Sequence, residues 1–217
     1  MVAWEIMLIN QNKNHTPVVL KKDEEILVVQ RKNIFSVIEP FTGFSPVHDF
    51  AKLQQSLAPY YEFHWRSMME SDVLYKQIIP YLIFEYNKQF FVMKRRENAS
   101  EARLQNKYSL GIGGHIRQAD ITSGNIIDWA CREFHEEVDY SGNVVSIPLG
   151  MINDESNSVG QVHIGFVFLL HGDSPCISIK SEHKEGYLID LQGCKDRFNE
   201  LESWSQVIVP HLESLTI

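Results

Sequence analysis

Positive charge is in short supply in this chain. Lys and Arg total 20 against 28 Asp and Glu, a formal net charge of −8 over 217 residues. Nucleic-acid binders normally show the opposite balance, so no DNA or RNA partner is expected. Cysteine is scarcer still: Cys131, Cys176 and Cys194 only. Odd in number and without a C-x-x-C pair, they argue against a disulfide framework or a cysteine-type zinc site and for a reducing, cytoplasmic setting. Cys131 falls on the apolar side of a helical segment, where a buried thiol is expected. No apolar run approaches the length of a membrane span, and MVAWEIMLINQNKN at the start lacks the basic region and cleavage site of an export signal. Internal repeats and low-complexity tracts are absent. What is present, 44% hydrophobic and 22% charged residues, suffices for one sizeable core.

The order of elements is readable in outline. Residues 1–72 form an N-terminal α+β extension, packed on or continuous with a main domain over 73–217. Within the extension, Glu25 to Gln30 reads as a strand, Ile34 to Ile38 as a short apolar piece, and Val47 to Leu57 as a helix with Phe50, Leu53 and Leu57 on one face. Ile78 to Phe84 and Phe90 to Met93 flank Asn87-Lys88 in a hairpin pattern. Tyr108 to Ile112 is a strand that runs into Gly113-Gly114-His115. A helix follows from Ile126 to Tyr140, with Asn125 as its cap, Asp128 in its first turn and Ile127, Ala130, Phe134 and Val138 as its apolar stripe. Strands over Val144 to Ile152, Val162 to Leu170 and Gly186 to Leu191 come next, the first two joined by a polar loop from Asn153 to Gln161. A last helix, Cys194 to Leu215, is expected to bend or break at Pro210. A mixed sheet with helices of this order suggests an α/β sandwich.

Glu133, Glu136 and Glu137 carry the chemistry. At spacings i, i+3 and i+4 they share one face of the helix, off the apolar stripe. Taken alone, such a trio reads as a solvated helix face. Beside a glycine pair that lets backbone approach closely, three mutually repelling carboxylates read as a site for a divalent cation.

These residues resemble the Nudix hydrolases. That family's signature is a glycine, five residues, a glutamate, seven residues, and then Arg-Glu-apolar-x-Glu-Glu-x-Gly-apolar. Here Arg132-Glu133-Phe134-His135-Glu136-Glu137 matches the second half and Gly114 the first glycine. The likeness extends roughly from Tyr75 onward, through Glu101-Ala102-Arg103-Leu104 and Ser109 to His115, to a branch described as MutT-like predicted phosphoesterases. The spacing from Gly114 to Arg132 is four residues longer than the signature's. A late insertion puts Asp120 in the place of the first glutamate; an early one puts Gly124 there. Asp139 stands where the family has glycine.

The resemblance implies a Nudix-type α/β/α sandwich with a mixed β-sheet. It also implies hydrolysis of a diphosphate linkage in a nucleoside diphosphate derivative or similar small phosphorylated molecule. Mg2+, with Mn2+ as a substitute, is implied on Glu133, Glu136, Glu137, the carbonyl of Gly113 and, in the late-insertion reading, Asp120. Glu136 and Glu137 are the expected catalytic carboxylates, and Arg132 organises them. Glu155, Glu182 and Glu185 are candidates for the general base. Arg103, Arg95, Arg96 and His115 are candidates for substrate contact, since a guanidinium matches phosphate geometry. His163 is open between packing and contact, His135 reads as surface or core edge, and Arg66 with Glu70 reads as a structural ion pair. A homodimer is compatible with the family. Two other readings stand beside the hydrolase. One is a catalytically inactive Nudix-fold module for nucleotide binding or regulation. The other, an isopentenyl-diphosphate isomerase relative, lacks a cysteine in a matching context.

Overall fold

The computed structural model describes residues 23–95, 107–120, 126–180 and 183–215; for Arg95, Ile127, Asp128, Cys131, His183, Lys184 and Leu215 it describes the backbone alone. The elements run β1 (Glu25–Gln30), α1 (Arg31–Val37), β2 (Gly43–Pro46), α2 (Phe50–Leu57), β3 (Glu62–Trp65), α3 (Arg66–Met69), β4 (Tyr75–Tyr86) and β5 (Gln89–Arg95). After these come β6 (Tyr108–Ser109), β7 (Gly111–Gly113), α4 (Ile126–Glu137), β8 (Val138–Tyr140), β9 (Val144–Asn153) and α5 (Ser158–Val162). The last are β10 (His163–Gly172), β11 (Ile177–Ile179), β12 (His183–Asp190), α6 (Leu191–Asp196) and α7 (Ser203–Leu215).

A mixed 10-stranded sheet has the order β12-β5-β4-β10-β9-β2, with β1 and β7 also on β4, β3 on β1 and β6 on β5. Among the described strands of this sheet, β4 and β10 pair in parallel and the other partners are antiparallel. β4 alternates between the two sides of the sheet, as the pleat requires. Ile78, Leu82 and Phe84 enter one core with Ile34, Leu53 and Leu57 of the extension and Trp129, Ala130 and Phe134 of α4. Tyr81 and Ile83 enter the other, beneath Ile208, Val209 and Leu212 of α7. The result is the α/β/α sandwich with a mixed sheet that the sequence suggests. The hairpin between β4 and β5 turns on Asn87 and Lys88, both with positive φ (48° and 62°), the backbone that matches the twist of paired strands.

The extension shares this sheet. β1 pairs with β4 through Val28↔Gln77 and Gln30↔Tyr75, and β2 pairs with β9. The Ile34–Ile38 piece lies mostly in α1, with Ile34 buried. Arg66 and Glu70 form the expected ion pair at 3.0 Å.

Three boundaries differ from the sequence reading. The central helix stops at Glu137, and Val138 to Tyr140 become a strand on β11. Val138, expected on the helical stripe, is buried there as a strand residue. The loop after β9 contains α5, started by Asn157, whose side chain accepts from the amides of Val159 and Gly160. The last helix breaks not at Pro210 but between α6 and α7, where Leu201 bridges to Tyr108 and the Glu202 amide donates to the Tyr108 carbonyl. Pro210 lies exposed within α7. Asn125 lies outside the described residues, as do the side chains of Ile127, Asp128 and Cys131. Among the described residues no helix is long and apolar enough to cross a membrane.

Candidate active site

Helix α4 buries Ile126, Trp129, Ala130 and Phe134 against the sheet, with Phe134 stacked on Phe84 at 5.8 Å. That orientation leaves the glutamates on its other side. Glu133 is the innermost, its side chain only 13% exposed. It lies directly over Gly114: a Cβ there would come within 2.1 Å of Glu133 Oε1, so any larger residue would displace this carboxylate from its present position. Burial, reinforced by the negative charges of Glu137 and Glu136, pushes the Glu133 carboxyl up to about 7, against the pull of Arg132 and Arg117. Gly113 is the last residue of β7, opposite Tyr81, where a Cβ would meet the Pro80 carbonyl at 2.9 Å.

Arg132 ties the helix to the loop before it. Its Nη1 pairs with Glu136 Oε1, and its Nη2 lies 2.9 Å from Asp120 Oδ2 and 4.0 Å from Glu133 Oε2. Asp120 is nearly buried and its Oδ2 also accepts from the Arg117 amide (2.9 Å), Arg117 Nε (3.2 Å) and Trp129 Nε1 (3.0 Å). The structure thus joins Asp120 to the glutamates through Arg132. Among the described residues no three His, Cys, Asp or Glu side chains converge closely enough to hold an ion as they stand, and Glu136 is turned onto Arg132.

The strand ends beside Gly113-Gly114 are polar and buried. His115 Nε2 lies 2.7 Å from Gln77 Oε1 and 3.4 Å from His163 Nε2, and His163 Nδ1 meets the Val159 carbonyl at 2.7 Å. One residue along β4, the fully buried Lys76 donates to Glu155 Oε1 (2.8 Å), the Gly160 carbonyl (2.7 Å) and the His163 carbonyl (3.3 Å). Arg31 reaches the other oxygen of Glu155 at 2.8 Å. Burial alone would raise the Glu155 carboxyl, but Arg31 and Lys76 outweigh it and hold the group below its ordinary value.

Glu185 sits elsewhere. Its neighbour Gly186 backs onto Ile179 and Phe91 on the α4 side of the sheet, so Glu185 faces the α7 side, where Tyr108 donates to it at 2.8 Å and Lys94 lies 3.7 Å away. The structure therefore gathers Glu133, Glu136, Asp120, Gly114 and Arg132, and sets Glu155 and Glu185 in separate polar clusters. His135 is exposed. Arg103, Arg96 and Glu182 lie outside the described residues, and Arg95 is known by its place in β5 alone.

Sequence reasoning passed over Lys76, Gln77, Arg31 and Trp129. For the first two a signal existed: two polar residues open a strand that is otherwise almost wholly apolar, and both are buried.

No protein-family model matches the chain. It is 33% identical over 209 residues to Protein YmaB of Bacillus subtilis (strain 168), covering 89% of this chain and 99% of that protein. The crystal structure of Tm1382, described as a candidate Nudix hydrolase, superimposes with a TM-score of 0.74 at 31% identity over 88% of this chain and 100% of that one. The Nudix domain of Shewanella oneidensis NrtR, solved with ADP ribose, shares the fold at a TM-score of 0.50 and 11% identity, over 65% of this chain and 89% of that one. With the glutamate helix set against Gly114 and a likeness to Tm1382 over nearly its whole length, the chain belongs to the Nudix superfamily.

Proposed function

We propose that this chain is a divalent-cation-dependent hydrolase of a diphosphate linkage in a small molecule, with nucleoside diphosphate derivatives as the substrate class. The observation that carries the reading is Glu133. A carboxylate buried over Gly114, and pushed up to about 7 by that burial with help from two more glutamates, is a group waiting for positive charge. The donor set suits Mg2+ or Mn2+, hard ions that take oxygen ligands. Glu133, Glu136, Glu137 and the Gly113 carbonyl would hold the ion. Once bound it would neutralise diphosphate oxygens and lower the pKa of a water.

The chain's own groups divide the remaining work. Arg132 holds Glu136 ready at the edge of the cluster, and Asp120, with Trp129 and Arg117 behind it, holds Arg132. We assign Asp120 this organising role in preference to metal ligation, because its Oδ2 already faces several donors. Glu136 and Glu137 stand as the catalytic carboxylates. Glu155 is disfavoured as the base because Arg31 and Lys76 hold its carboxyl ionised to lower pH, which makes it a weak proton acceptor. Glu185 is disfavoured because it faces the other side of the sheet. His115, Arg95 and Arg103 are the proposed substrate contacts. The free thiols of Cys176 and Cys194 accord with a reducing, cytoplasmic setting.

The test is a panel of nucleoside diphosphate derivatives with Mg2+ and with EDTA, and product identification in oxygen-18 water. Turnover that needs Mg2+ and disappears in Glu136→Gln and Glu137→Gln, with unchanged melting temperatures, supports the reading. Tight nucleotide binding without turnover by the wild type would instead make the chain a binding module.

A further inference from the structure

We infer that the N-terminal extension is a structural member of the site, gripping the Gly113–Arg117 segment from two sides, and that Gln77 is the positioning residue through which one grip acts. This rests on the metal-site reading above and extends it to residues outside the glutamate helix.

The first grip is backbone. The Leu27 amide of β1 donates to the Ile116 carbonyl at 2.7 Å, and Ile26 bridges to Arg117. Arg117 in turn supplies the amide that Asp120 accepts, so β1 supports the loop that anchors Arg132. The second grip passes through side chains. Gln77 Nε2 donates to the Met69 carbonyl of α3 at 3.1 Å. Carbonyls only accept, so the other Gln77 amide atom is its oxygen, and His115 Nε2 must donate to it. At the far end the Val159 carbonyl fixes His163 Nδ1 as a donor, which leaves His163 Nε2 to face the same His115 N–H as an acceptor. With both imidazoles neutral, every bond in the chain Met69–Gln77–His115–His163–Val159 thus has one direction, and His115 carries its proton on Nε2. His115 is joined through Gly114, the residue beneath Glu133, to Gly113. Gln77 itself is buried and cannot exchange its partners for water. Its loss would release the ring that pins this glycine segment.

The experiment compares the full chain with Gln77→Leu, and with Leu53→Ala as a control that destabilises the shared core through an apolar side chain that makes no hydrogen bond to the segment. Mn2+ binding is titrated by electron paramagnetic resonance, and the ring nitrogens of His115 are observed by 15N NMR without metal. Groups behind metal ligands typically carry about ten-fold to 100-fold in affinity. The expected result is a loss of Mn2+ affinity of about ten-fold or more in Gln77→Leu. The His115 signal should move from a single Nε2–H form to a mixture, while Leu53→Ala changes neither despite a lower melting temperature. An unchanged His115 pattern with unchanged Mn2+ affinity overturns the inference. So does an equal loss of affinity in Leu53→Ala, which would make Gln77 a stability residue only. A wild type that binds no Mn2+ overturns the metal site itself; the 15N comparison then still decides whether Gln77 sets the ring.

Discussion

Removing Glu133's charge should make the metal-free protein more stable, not less. The group titrates near its ordinary 4.5 in the unfolded chain and at about 7 in the folded one. A folded pKa above the unfolded value means that the native state prefers the protonated form. The cost of ionising it in place is absent below pH 4.5, grows up to about pH 7 and is complete above that. At about 1.4 kcal/mol per pKa unit, the full cost is roughly 3 kcal/mol. Glu133→Gln keeps the shape and removes the charge. For a domain of this size roughly 3 kcal/mol corresponds to about 6 to 12 °C in melting temperature. Calorimetry in EDTA should therefore find the variant and the wild type alike at pH 4.5, and the variant several degrees more stable at pH 8. Adding Mg2+ at pH 8 should raise the wild type more than the variant, because only the wild type has the Glu133 penalty for the ion to relieve. A Glu133→Gln protein that melts at or below the wild type at pH 8 in EDTA would mean that ionised Glu133 carries no such cost.

Other consequences are more local. Gly114→Ala would place a methyl group 2.1 Å from Glu133 Oε1 and must displace the carboxylate; Mn2+ affinity measured by calorimetric titration should fall about ten-fold or more. Glu155→Gln takes a charged partner from the fully buried Lys76 and from Arg31, which should cost about 2 to 4 kcal/mol in urea denaturation. Because the Glu155 carboxyl is depressed, that contribution is present above its ordinary value of 4.5 and lost as pH falls through the lower folded value, so the variant's acid-unfolding curve should be the flatter of the two. Lys88→Gly should add roughly 0.5 to 1 kcal/mol, since Lys88 holds a φ of 62° that glycine adopts freely.

The elements with one strong periodic signal were legible. β4, β5 and their turn, β9, β10 and the body of α4 lie where alternation and helical spacing place them. The misplaced boundaries share a physical cause, which is that distant pairing overrides local preference. Val138 to Tyr140 continue a helical pattern but leave it because β11 supplies a partner strand. The chain between Arg197 and Glu202 carries no breaker, yet it leaves the helix because Leu201 and Glu202 reach Tyr108. Pro210, the conspicuous breaker, sits at an exposed position inside α7 and marks no boundary.

For the site, spacing along one helix could reveal the glutamates, because their grouping depends on nothing beyond the helix that carries them. It could not foresee the surroundings of Asp120, since Trp129 and Arg132 come back to meet it from the helix beyond the stretched loop. Nor could it show the partners of Glu155. A loop carboxylate looks the same whether it faces water or two cations, and here one cation arrives from α1 and the other from β4. The legible clue was of a different kind. Lys76 and Gln77 interrupt an apolar strand, and burying two polar side chains costs free energy unless each finds partners. Consecutive residues on a strand point to opposite sides of the sheet, so the pair must be held by different neighbours. Lys76 takes the Glu155 loop and α5, and Gln77 takes α3 and His115. In this chain, polar residues opening a buried strand mark where the segments around the glutamate helix are tied down.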